Sequence, residues 1–73
     1  MTRQELFVKY LQLRGYHQEK TRSKRAIKMS NGRTTFWVGL KGGVRRGPTL
    51  SDSVSVGHIN WPKVEEIVNA ENL

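Results

Sequence analysis

The chain has 73 residues, no cysteine, and 13 Lys and Arg against 6 Asp and Glu, for a formal charge of +7. That length allows one small domain over residues 1–73, without disulfides or a cysteine-based zinc site to staple it. No apolar run approaches the roughly 18–20 residues of a membrane span and no signal-peptide pattern is present, so the expected setting is a reducing cytoplasm without membrane attachment.

Thr2-x-x-Glu5 reads as a capping box, each side chain satisfying a backbone N–H that the helix start leaves unpaired. A helix from Arg3 to Arg14 then sets Leu6, Phe7, Tyr10, Leu11 and Leu13 on one apolar stripe. Val8 falls beside the polar face, where it and Tyr10 are a candidate contact edge. Gly15 fits a left-handed cap at the helix end. Tyr16–Ser23 is polar without a period and is predicted to be loop, with Tyr16 turned back on the core.

Residues 25–40 read as a β-hairpin about Asn31-Gly32, a dipeptide suited to a two-residue type I′ turn. That turn pairs Ser30 with Arg33, Lys28 with Thr35 and Ile27 with Phe36. Side chains alternate between faces. Ile27, Met29, Phe36, Val38 and Leu40 therefore form a core face. Lys24, Ala26, Lys28, Arg33, Thr35 and Trp37 form a basic face with one large aromatic in it.

Lys41 to Thr49 carries three glycines and a proline and is predicted to be a loop with Arg45 and Arg46 near its tip. Leu50–Gly57 alternates as a strand with Val54 and Val56 inward and Ser53 and Ser55 outward. A last helix follows. Either Asn60 caps it, or Trp61 does with Pro62 in the first helical position. Trp61, Val64, Ile67 and Val68 make its apolar stripe.

The expected fold is α+β, in the order α-β-β-β-α. Three antiparallel strands carry both helices on one face, and the other face stays open to solvent.

Charge is unevenly spread. Lys20–Arg46 holds nine basic residues and no acid, whereas the chain from Trp61 on holds three glutamates against Lys63. A basic centre of this kind favours phosphates or acidic protein surfaces. Trp37 among Lys24, Lys28, Arg33 and Thr35 is either a platform to stack a base or anchor a partner, or a ring covered by the Tyr16–Ser23 loop or the 41–49 loop. With Lys41, Arg45, Arg46 and Val8, these are the candidate partner-binding residues. His17 and His58, with Glu19 and Asp52, match no catalytic spacing, so no catalytic residue, metal or cofactor is assigned.

The element order with its basic hairpin resembles the double-stranded-RNA-binding fold and the HicA-type ribonuclease toxins built on it. Those toxins carry a Gly-Ser/Thr-His signature in the hairpin strands. Here Lys28-Met29-Ser30 and Thr34-Thr35-Phe36 stand there without histidine, so the resemblance carries fold order and not the nuclease. Along its whole length, in size and charge, the chain also resembles the small basic regulators that Xanthomonas phages of the Xp group encode against host RNA polymerase. That resemblance implies a non-enzymatic protein, monomeric when free, acting in the bacterial host cytoplasm. It would bind polymerase near the RNA exit channel, inhibit initiation and suppress termination. The alternatives are a stand-alone RNA- or DNA-binding module using the same face and a small ribonuclease relying on His17 or His58.

Overall fold

A computed structural model of the protein describes residues 1–71. Helix α1 spans Arg3–Leu13 and begins as its sequence predicts. The Glu5 N–H donates to Thr2 Oγ1 at 3.1 Å. The reciprocal half of the box differs, because Thr2 Oγ1 itself donates to the Glu5 carboxylate at 3.1 Å. At the other end Gly15 takes φ +91°. The Gly15 and Tyr16 N–H groups then bond to Gln12 O and Leu11 O, a Schellman closure that turns Tyr16 back toward the core.

Five strands follow: β1 (His17–Glu19), β2 (Ala26–Ser30), β3 (Thr35–Gly39), β4 (Val44–Arg46) and β5 (Val54–Ser55). They form one antiparallel sheet in chain order. Helix α2 spans Trp61–Glu71. Asn60 is its cap, accepting from the Lys63 N–H at 3.2 Å, which leaves Pro62 inside the first turn. The fold is therefore α+β with five strands between two helices, not three. The two missed strands lie in stretches predicted to be loop: β1 in Tyr16–Ser23 and β4 in the glycine-rich segment. Both are three residues long, too short to show a period of their own, and are held by pairing with longer neighbours.

The β2–β3 hairpin forms around a different turn. Ile27 pairs with Val38, Lys28 with Trp37 and Met29 with Phe36. Among the described residues none other than glycine has positive φ, so Asn31 does not enter the type I′ conformation. Instead its Oδ1 accepts from the Arg33 and Thr34 N–H groups at 2.9 and 2.8 Å. This side-chain turn lengthens the loop to four residues and moves the register by two. A shift of two preserves every side chain's face, where a shift of one would invert them.

The core follows from that conserved sorting. Met29, Val38 and Val44 join Leu6, Phe7, Val8 and Leu11 of α1 and Val64 and Val68 of α2 in one apolar cluster. Met29 and Val38 are wholly inaccessible to solvent. Tyr16 packs on Phe36, with ring centroids 5.4 Å apart. The Gln4 side-chain amide donates to Val38 O at 3.1 Å and seats the start of α1 over β3. Two helix positions exchange roles relative to the expected stripe: Val8 is buried and Leu13 is exposed. The buried arc of α1 is centred on Phe7 and Leu11, which turns Val8 inward and Leu13 to the rim. Leu40, expected in the core, lies beyond the end of β3 in the turn to β4 and is exposed.

Candidate functional site

Trp37 decides what the second sheet face can do. Cross-strand partners Lys28 and Arg45 stand on either side of it. Its Nε1–H donates to Gly47 O at 3.0 Å. Lys28 Nζ sits 5.6 Å from the ring centroid and 3.1 Å from the Glu19 carboxylate. Arg45 donates through Nε to Ser53 Oγ at 2.8 Å and through Nη2 to Ser53 O at 2.6 Å. Trp37 is only 6% exposed. The expected open aromatic platform therefore does not exist. Lys28, Trp37 and Arg45 form a polar-rimmed second packing layer that ties β1, β2, β3 and β4 to the segment before β5.

Gly47 makes this layer possible. A Cβ there would collide with the Asp52 carbonyl oxygen and the Ser53 backbone, so the chain closes on itself only with glycine at this point. Ser53 is consequently buried, its hydroxyl donating to Leu50 O at 2.7 Å. This corrects the expected outward Ser53. Val54 and Val56 are not core residues either: they are 64% and 36% exposed. The register places Val54 opposite Arg46, at a sheet edge the helices do not cover.

The remaining candidates separate into two places. Strand alternation sends Arg45 and Arg46 to opposite faces, since Arg45 pairs with Trp37 and Arg46 with Phe36. Arg46 meets Arg33, Thr34, Thr35, Gly47 and Pro48 around a groove of about 330 Å³ at the hairpin end of the sheet. At the other end, the Leu40 N–H donates to Arg25 O at 3.1 Å. That bond joins the exposed Lys20–Arg25 loop, which includes Arg22 and Lys24, to the turn bearing Lys41. Val8 is 8% exposed and does not belong to any surface. The two ion pairs among the described residues are Lys28–Glu19 and Lys63–Glu66. Arg22, Lys24, Arg25, Arg33, Lys41 and Arg46 have no carboxylate partner there.

His17 lies on β1 and His58 follows β5, at opposite edges of the sheet. The two imidazoles therefore do not share one site. Sequence reading expected a strand over Leu50–Gly57, of which Val54–Ser55 forms one as an uncovered edge, and it missed the hollow where Arg3, Gly42, His58 and Trp61 meet. Gly42, at φ +87° and tight against Arg3 and Trp61, was the available signal for that closure.

No protein family, curated protein or solved structure matches the chain.

Proposed function

We propose that the chain is a non-enzymatic transcription regulator that docks on bacterial RNA polymerase through its basic surface, inhibiting initiation and suppressing termination. The polymerase itself enters through the likeness in size and charge to the phage regulators. The single structural observation that carries the docking mode is the division of the cations. Lys28 and Arg45 are held by contacts within the protein, to Glu19 and to Ser53, although Arg45 stays exposed. Two groups, Lys20–Arg25 with Lys41 and Arg33 with Arg46, have no carboxylate partner among the described residues and lie at opposite ends of the sheet. Such groups suit an acidic protein surface, steering encounter and setting orientation.

Burial of Trp37 weighs against one mode of the runner-up, a stand-alone RNA- or DNA-binding module of double-stranded-RNA-binding-like fold, namely the stacking of unpaired bases. Base stacking is the sequence-tolerant contact single-strand binders use, worth roughly 1–3 kcal/mol per base, and the basic face offers no exposed ring for it. Contact with a phosphate backbone alone stays open to the Lys20–Arg25 loop.

Paired titrations of one labelled sample at physiological salt test the proposal, one against bacterial RNA polymerase and one against a mixed RNA and DNA oligonucleotide pool. Saturable polymerase binding at micromolar concentration or below, with weak oligonucleotide binding, is the expected result. Tight oligonucleotide binding that falls steeply with salt, without polymerase binding, would overturn it.

A further inference from the structure

The two edges of the sheet are guarded differently. β1 presents His17, Gln18 and Glu19 and runs into the cationic loop. Charge of that kind discourages a further strand from pairing. β5 and the residue after it present Val-Ser-Val, with neither charge nor proline among residues 54–56, and all three are exposed.

We infer that the β5 edge is a strand-addition site for an extended, acidic–apolar segment of a partner protein. The backbone is already set for it. The Val56 N–H donates to Val44 O at 2.9 Å, so the alternation of an antiparallel ladder turns the Ser55 N–H and C=O away from β4, toward the vacant side. Hollows lie at both ends of this edge. One is bounded by Arg46, Val54, Ser55 and Val56, the other by Arg3, Ser55, Gly57, His58 and Trp61. In strand addition, main-chain bonds supply affinity and pockets for alternate side chains supply specificity. Exposed Val54 and Val56 select apolar partner residues, and Arg46 and Arg3 at the two ends select carboxylates. Asp52, two residues ahead of Val54, keeps a partner carboxylate from the position beside it. A second copy of this chain pairing β5 with β5 would bring two bodies of charge +7 together, which disfavours it as the occupant. The inference deepens the docking proposal and rests on it for the partner's being a protein.

A short blocked peptide alternating valine and glutamate, titrated into ¹⁵N-labelled full-length protein, tests the edge directly. Shifts are expected along residues 53–57 and at Arg46, with Ser55 amide exchange slowed about tenfold or more. A valine–lysine peptide should do neither. Ser55→Pro removes the outward N–H and no ladder bond, so it should fold and lose the peptide. Val54→Lys serves the same purpose if the proline variant does not fold. Unchanged Ser55 exchange, shifts confined to Lys20–Arg25, or self-association through β5 would each overturn the inference. Polymerase binding separates the two ideas. If wild type and Ser55→Pro bind polymerase equally, the edge fails and the docking proposal stands. If the peptide protects Ser55 but polymerase is not bound, the edge stands and the polymerase proposal falls.

Discussion

The two halves of the sheet are held by different chemistry. On the α1–β2–β3 side, stability comes from apolar burial: Met29 and Val38 are sealed beneath Phe7, Leu11 and Val68. On the β4–β5 side only Val44 is buried in the core, and closure depends on directed polar contacts, from Trp37 to Gly47 and from Arg45 to Ser53. The first kind of structure tolerates a shift of register and keeps its faces. The second depends on single atoms at single positions, and it leaves an apolar edge uncovered.

Breaking each half should expose this contrast. Met29→Ala removes a wholly buried side chain, at a cost of about 2–5 kcal/mol. A domain of this size holds only about 3–5 kcal/mol in total, so urea or thermal melts should find the variant largely unfolded. Gly47→Ala forces the backbone away from Asp52 and Ser53, costing about 1–3 kcal/mol. Its signature should be local: the Trp37 indole N–H signal moves in an ¹⁵N spectrum while α1 resonances stay in place. Ser53→Ala leaves Arg45 Nε without its side-chain acceptor but keeps the Ser53 carbonyl, for a loss of about 1 kcal/mol. Glu19→Gln frees Lys28 from a half-exposed pair and should change stability by less than about 1 kcal/mol. If Glu19→Gln proved costlier than Gly47→Ala, the division between the halves would be misplaced.

The same division explains what was legible in the sequence. Helix starts and stops are local chemistry, so Thr2 and Gly15 could be read in place and the cap of α2 narrowed to Asn60 or Trp61. The alternation of Ile27, Met29, Phe36 and Val38 was long enough to sort faces, and it did so although the Asn31 turn was misjudged. β1 and β4 are too short to carry a pattern. Arg45 and Arg46 looked like one constellation because they are adjacent in sequence, and the strand they form is what parts them. Whether Trp37 was open or covered could not be decided from sequence, since its burial depends on a glycine ten residues away. The candidate site was thus legible as a set of cations, and illegible as to which of them the protein uses internally.

The central claim is regulation of transcription by docking. In vitro transcription by bacterial RNA polymerase, from a host promoter through an intrinsic terminator, measures both parts at once. Added protein is predicted to lower initiation and raise read-through, and reversing the charge of Arg22 and Lys24 together should weaken both effects. Unchanged initiation and unchanged termination at saturating protein would contradict the account.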